Sequence, residues 1–148
     1  MQAALNRGEQ GVIDIRPEFA EGLSGLADFD YAWLLSWLHE AQGPPDTVAL
    51  TQVPFFLSRQ QRRIGVFAMR GPKRINPIGL SLIRIVEVNG SQVRFDGVDL
   101  IDGTSVIDLK PYVTSLDRPP GEPRCGWYDT VPLPEAASPA DLARPEES

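Results

Sequence analysis

Asn89-Gly90 stands between two apolar, strand-like runs, residues 80–88 and 91–98. An Asn-Gly pair in that setting is the strongest short-range signal for an antiparallel hairpin, because both residues tolerate the positive φ that tight hairpin turns demand. The chain is thereby committed to adjacent antiparallel strands, and the remaining segments can be read around that hairpin.

Residues 11–15 (GVIDI) alternate and read as a short strand. Residues 17–29 open with proline and are rich in glycine; they read as a loop with one helical turn. Residues 29–38 place Phe29, Tyr31, Trp33, Leu35 and Trp37 on one face at period two; aromatic enrichment favours a strand with that face in the core, although the length allows a helix as well. Residues 48–56 and 65–69 read as strands on either side of the basic stretch 58–63. Asp102-Gly103 marks a second turn, residues 106–109 a short strand, and residues 121–128 a last aromatic-ended strand. Many short strands with turn signals and little helix indicate a mainly β fold, a small closed or nearly closed β-barrel. The chain has 148 residues, enough for one hydrophobic core. The expected division is a barrel over residues 1–128 and an acidic, Pro-rich, disordered tail over residues 129–148.

Several function classes lose support. No apolar run approaches the ~18–20 residues that span a bilayer. Residues 1–10 lack the apolar stretch of a signal peptide, and Cys125 is the single cysteine, so a cytosolic location is expected. One histidine and one cysteine cannot make an ordinary zinc site, so no metal is expected. No GxGxxG, no GxxxxGK[ST] and no GxSxG is present. The net charge is −6, yet Arg59, Arg62, Arg63, Arg70, Lys73 and Arg74 crowd into one stretch. That stretch reads either as a solvated loop or as a phosphate-facing patch.

Two segments hold the candidate chemistry. Residues 70–81, RGPKRINPIGLS, contain Pro72 and Pro77, which fix φ and remove two backbone donors. Asn76 precedes a proline and is pushed out of the α region. A stiff loop carrying Arg70, Arg74 and Asn76 suits holding a polar ligand in one pose; the plain alternative is a rigid connection between strands. Residues 99–112, DLIDGTSVIDLKPY, gather Asp99, Asp102 and Asp108 around turn chemistry, with a spacing unlike a calcium loop.

These segments resemble a known family. The run GVFAMRGPKRINPIGLS (65–81) is similar to the G-[IV]-F-A-T-R-S-P-x-R-P-N-P-I-G-L-S signature of the tRNA methyltransferase O (YaeB or TsaA-like) family. The run DLIDGTSVIDLKPYV (99–113) is similar to its D-x-x-D-G-T-P-[VL]-x-D-[IV]-K-P-Y signature. Residues 19–40 match a looser third stretch, in which an apolar strand ends in histidine, and Gly126-Trp127 matches a Gly-Trp near the end.

The resemblance implies a β-barrel homodimer that binds S-adenosylmethionine in a folded pose. It implies methyl transfer to N6 of threonylcarbamoyladenosine next to the anticodon of a threonine tRNA. Carried onto this chain, the donor site would comprise His39, Glu40, Arg70, Leu80, Asp102, Gly103, Thr104 and Ser105. If tRNA is the substrate, Arg59, Arg62, Arg63, Lys73 and Arg74 are its expected phosphate contacts. There are departures. Met69, Gly71 and Ile75 stand where the family has Thr, Ser and Pro, and Ser105 stands where it has Pro. The family's opening strand and Pro-Arg-Gln motif, and the further C-terminal domain of some members, have no counterpart in this sequence.

Methyl transfer from a sulfonium is an in-line displacement, so alignment is the protein's main task. The target nitrogen is urea-like and weakly nucleophilic, and His39 is the candidate base, with a hydrogen-bonded strand-end histidine as the alternative. Trp33 and Trp37 read as barrel core in preference to adenine-stacking rings. Cys125 reads as a small packed residue, and Lys110 as a partner for an acidic neighbour or a substrate contact. Two other readings stay open: a donor-binding module without catalysis, and a methyltransferase acting on a small substrate.

Overall fold

The structure is a computed structural model and describes residues 10–41, 43–97 and 100–132. Seven strands occur among them: β1 (Gln10–Asp14), β2 (Tyr31–Trp37), β3 (Thr51–Gln52), β4 (Ile64–Gly65), β5 (Ile78–Asn89), β6 (Gln92–Asp96) and β7 (Ser105–Pro111). Five of them form one antiparallel sheet in the order β1-β6-β5-β2-β7, and β3 pairs with β4 in a separate short ladder. Among the described residues helix is limited to one α turn, Thr114–Asp117, and a set of 3₁₀ turns. The fold is thus mainly β and antiparallel, as read from the sequence. Among the described strands β1 and β7 are the two edges, and they do not pair with each other.

The hairpin joins β5 to β6. Asn89 pairs with Gln92, so the two loop residues are Gly90 and Ser91, one position later than the dipeptide suggested. Gly90 has φ +60°, the positive value that a type II′ turn places on its first central residue.

β2 lies between β5 and β7 and alternates strictly. Its buried face is Ala32, Leu34, Ser36 and, just beyond it, Leu38; Tyr31, Trp33, Leu35 and Trp37 are half-buried on the opposite face. The expected core orientation of Trp33 and Trp37 is therefore reversed. The pleat sends small and aliphatic side chains inward, where Ile13, Leu23, Ile83, Val93 and Phe95 join Ala32 and Leu34 in one cluster. Burying a side chain such as Leu34 or Ile83 contributes about 1.5–3 kcal/mol, so this face, not the aromatic one, anchors the sheet. Register shifts between Ile85 and Glu87 and between Leu35 and Ser36 are the kind of irregularity that bends a strand and increases twist.

A second, smaller cluster holds Leu57, Ile64, Trp127 and Val131, with Phe56, Met69 and Tyr128 packed against it. The chain here is mostly turns. Where the sequence suggested strands over 48–56 and 65–69, only β3 and β4 form, and 3₁₀ turns follow at Phe55–Gln60 and Val66–Ala68. The expected strand over 121–128 is instead a 3₁₀ turn, Gly126–Thr130, and its Trp127 stacks on Tyr128 with centroids 3.8 Å apart. Val131 is buried, so packing continues past residue 129. Residues 133–148 of the expected tail lie outside the described residues. Cys125, expected to be packed, is exposed, because it sits in the approach to that turn and its N–H is held by Asp129 Oδ2 at 2.9 Å.

Candidate active site

A cleft of about 220 Å³ lies between the stiff loop and the start of β5. Residues 69–72 and Arg74 form one wall, residues 78–81 of β5 the other, and Leu38 contributes from the end of β2. The loop is tied down from within. Arg74 is half-buried and its Nη1 donates to the carbonyls of Met69, at 2.8 Å, and Gly71, at 3.3 Å. A guanidinium that bonds its own loop holds the shape of the wall, while Arg70, four residues earlier, remains exposed at the cleft. Gln52 Nε2 donates to the Lys73 carbonyl at 2.9 Å and fastens the loop to β3.

Among the described residues the other wall is an open strand edge. β5 pairs with β2 from Ile78 to Arg84, but with β6 only from Arg84 onward. Leu38 N–H takes the Pro77 carbonyl at 2.8 Å, and Ile85 N–H takes the Asp30 carbonyl at 2.8 Å, both on the β2 side. Backbone groups alternate along a strand, so residues 79, 81 and 83 face β2, while Ile78, Leu80 and Leu82 face the open edge. Leu80 therefore offers an N–H donor and a carbonyl acceptor to whatever occupies the cleft.

Gly79 sits on the cleft wall above Ser36. A Cβ at Gly79 would come within 2.5 Å of Ser36 Oγ and 3.1 Å of Leu38 Cδ2, so only glycine fits. Ser36 is fully buried and its hydroxyl has no hydrogen-bond partner among the described residues. Sequence reasoning missed both; the only trace is a serine at an inward position of β2 facing a glycine across the ladder.

The remaining candidates gather at the same end of the sheet. Trp37 pairs with Ile78 on one side and with Ser105 on the other. His39 and Glu40 follow in a 3₁₀ turn, His39–Ala41, and are exposed. The His39 imidazole has no hydrogen-bond partner among the described residues. Asp102, Gly103 and Thr104 form the turn that leads into β7; Gly103 takes φ +79°, and Thr104 Oγ1 closes the turn on the Ile101 carbonyl at 2.5 Å. Arg70 and Leu80 thus share the cleft, His39 and Glu40 adjoin it through Leu38, and residues 102–105 lie across β2 from it. Asp99 lies outside the described residues. Lys110 pairs with Asp108 at 3.0 Å on β7.

The basic residues divide. Arg63 is engaged by Thr51, with Nε donating to Oγ1 at 3.0 Å and Nη2 to the carbonyl at 2.5 Å. Arg74 is the loop clamp described above. Arg59, Arg62 and Lys73 are exposed, and their side chains have no partner among the described residues.

A family model described as the tRNA-methyltransferase O N-terminal domain matches residues 1–118. A probable S-adenosyl-L-methionine-binding protein of Pyrococcus abyssi is 36% identical over 129 residues, covering 87% of this chain and 66% of that protein. The tRNA (adenine(37)-N6)-methyltransferase of Mus musculus is 40% identical over 97 residues, covering 66% of this chain and 22% of that protein. The crystal structure of TrmO from Pseudomonas aeruginosa matches with a TM-score of 0.64 and 31% identity, over 84% of this chain and 51% of that one. The chain thus spans about half the length of this solved relative, and two thirds or less of these two sequence relatives.

Proposed function

The chain belongs to the tRNA-methyltransferase O family, and on that premise we propose that it transfers the methyl group of S-adenosylmethionine to N6 of threonylcarbamoyladenosine beside the anticodon of a tRNA. The observation that carries this reading is the cleft itself, with Arg70 and the Leu80 backbone on opposite walls and His39, Glu40 and residues 102–105 at the same end of the sheet.

The residues fit the donor by chemistry. Arg70 suits a carboxylate. The Leu80 N–H and carbonyl match the donor–acceptor edge of an adenine, and Met69, Ile78 and Leu80 give it apolar walls. The Glu40 and Asp102 carboxylates complement a cationic ammonium and sulfonium. At about 220 Å³ the cleft is smaller than the ~300–1,000 Å³ that usually encloses a drug-sized ligand, so it holds one part of the donor and the 102–105 turn takes another. When bound, the donor supplies an activated methyl group. The chain holds the acceptor nitrogen in line with it and excludes competing water. We assign the proton from that nitrogen to His39, which is exposed and has no hydrogen-bond partner among the described residues.

Three further parts of the proposal have their own support. We read the sheet as nearly closed as a barrel; in support, Ile13 of β1 and the β7 residues Val106 and Leu109 pack on the same hydrophobic cluster. Two copies pair through the outer sheet face, where Ile78, Leu80, Leu82 and Ile107 are 38–52% exposed beside the half-buried Trp33 and Trp37. Leu80 and Ile78 also wall the cleft, so a second copy would help enclose the donor. Arg59, Arg62 and Lys73 contact tRNA phosphates, with Arg63 and Arg74 holding the surface that presents them. No helix among the described residues is long and apolar enough to cross a membrane, and a cytosolic tRNA is the substrate consistent with that.

Incubation with tRNA and methyl-labelled S-adenosylmethionine, followed by nucleoside mass spectrometry, tests the reading. Label on N6 of threonylcarbamoyladenosine supports it. Donor binding without transfer to any RNA would replace it with a donor-binding module or a small-substrate enzyme.

A further inference from the structure

Two exposed rings on the basic stretch remain without a role. Residues 47–76 contain every cation of the basic stretch, Arg59 to Arg74, and not one of the chain's 20 acidic residues, although the whole chain has a net charge of −6. On the same stretch Phe55 and Phe67 are 85% and 81% exposed, the most exposed phenylalanines among the described residues.

The Phe55 ring has a packed neighbour, and the backbone on either side of Phe67 is tied down. Phe55 stands edge-on to Phe56, with centroids 5.7 Å apart and planes at 74°, and Phe56 packs on the second cluster. Phe67 is the middle residue of the turn Val66–Ala68. Val66 N–H bonds the Leu50 carbonyl at 2.9 Å, and the Ala68 carbonyl receives the Trp127 indole at 2.8 Å. A ring on a fixed backbone loses little freedom when a ligand covers it. The antiparallel β3–β4 ladder puts the two rings beyond opposite ends, with Phe67 two residues before Met69 of the cleft wall.

We propose that Phe55 and Phe67 are base-stacking platforms that grip unpaired nucleotides of the RNA substrate, Phe67 beside the cleft and Phe55 at the far end of the ladder. The inference rests on the RNA reading above and adds to it the way the RNA is held. Sequence-specific RNA recognition works mainly on unpaired bases splayed onto aromatic rings, with cations tracking the backbone. A cationic stretch of chain without acidic residues, carrying two bare rings, has that composition. A second copy is a poor occupant, because a two-fold contact centred here would set these cations against their own copies. Both residues position the substrate; neither touches the transferred methyl group in this account.

The test is filter binding of the full chain to an anticodon stem-loop RNA and to a blunt RNA duplex of equal length. Phe55→Ala and Phe67→Ala are each expected to raise the stem-loop Kd by about 5- to 150-fold, the span of one lost base–aromatic stack. The duplex Kd and the salt slope stay unchanged, since no phosphate contact is lost. Phe67→Trp keeps stem-loop affinity, and Phe67→Leu, which retains apolar bulk without the aromatic face, loses it even if the alanine variant folds poorly. Unchanged stem-loop affinity in the alanine and leucine variants overturns this inference alone. So does a dimer-to-monomer change in light scattering of a variant, which would assign the rings to self-association. A wild-type chain that binds S-adenosylmethionine but no RNA overturns both this inference and the RNA reading beneath it.

Discussion

Trp127 reaches back 59 residues to donate its indole N–H to the Ala68 carbonyl, 2.8 Å away. The bond ties the end of the described chain to the residue just before Met69, where the cleft wall begins. Trp127→Phe keeps most of the ring's buried area and removes the donor. It is expected to cost about 1 kcal/mol, a fall in Tm of about 2–8 °C. Trp127→Ala should cost about 3–5 kcal/mol. Because the wall loses its anchor, donor affinity should fall in Trp127→Phe as well. Calorimetry of unfolding and of S-adenosylmethionine binding would check both; full donor affinity at a lowered Tm would separate Trp127 from the cleft.

Gly79 and Ser36 form a second testable pair. A methyl at Gly79 meets Ser36 Oγ and Leu38, so Gly79→Ala is expected to destabilise by about 1–3 kcal/mol. Ser36→Ala removes a buried hydroxyl that has no partner among the described residues, and should be neutral or stabilising. Combining them should recover part of the Gly79→Ala loss, a coupling of about 0.5–3 kcal/mol. Denaturant melts of the three variants measure this; strict additivity would mean that the two positions do not press on each other.

Part of this architecture was legible in the sequence because its causes are local. The hairpin at Asn89-Gly90 and the strands expected over 80–88, 91–98 and 106–109, observed at 78–89, 92–96 and 105–111, follow from turn chemistry and period-two alternation. The orientation of residues 31–37 was not legible. Alternation says that one face is buried but not which, and the smaller face won: Ala32 and Leu34 pack with Ile13, Ile83, Val93 and Phe95 in one cluster. Residues 48–69 carry β-branched and aromatic residues, yet Pro54 and the basic stretch leave only two-residue strands, and 3₁₀ turns take the rest. In the candidate site, the stiffness of the 70–77 loop was readable from Pro72 and Pro77. That Arg74 spends its guanidinium on that loop, and that β5 has an open edge at Leu80, depends on strand pairing, which no local pattern encodes.

Asp108 gives a pH prediction. The hydrogen bond from Lys110, at 3.0 Å, holds its carboxyl below the usual 3.8; partial burial opposes this, and the Leu109 N–H and the Lys110 charge assist. A depressed carboxyl pKa stabilises the fold above the unfolded value, and the contribution disappears as the pH falls from about 4 through the folded pKa. Both side chains are substantially exposed, so the contribution is small. Lys110→Met should raise the Asp108 titration midpoint toward 3.8 in carboxyl-detected NMR, and should change stability at neutral pH by no more than about 0.5 kcal/mol. An unmoved midpoint would show that the pair does not form in solution.

The division among the arginines predicts different salt behaviour. Arg59 and Arg62 are exposed and unpartnered among the described residues, while Arg63 is held by Thr51. Arg59→Ala and Arg62→Ala should each flatten the log–log salt dependence of RNA binding by about 0.7–0.9. Arg63→Ala should lower Tm and leave that slope nearly unchanged. Binding isotherms at several salt concentrations distinguish them, and equal slope losses in all three would return Arg63 to the phosphate-contacting set.

The proposed donor site is the cleft between Arg70 and Leu80, joined by the turn at Asp102. Isothermal titration of S-adenosylmethionine into the chain, into Arg70→Ala and into Asp102→Ala, with circular dichroism on each, measures it. The prediction is saturable binding by the wild-type chain, and affinity reduced about tenfold or more in both variants with unchanged spectra, as expected for losing a hydrogen bond to a charged group. Saturable binding that both variants retain undiminished would contradict the assignment of this cleft.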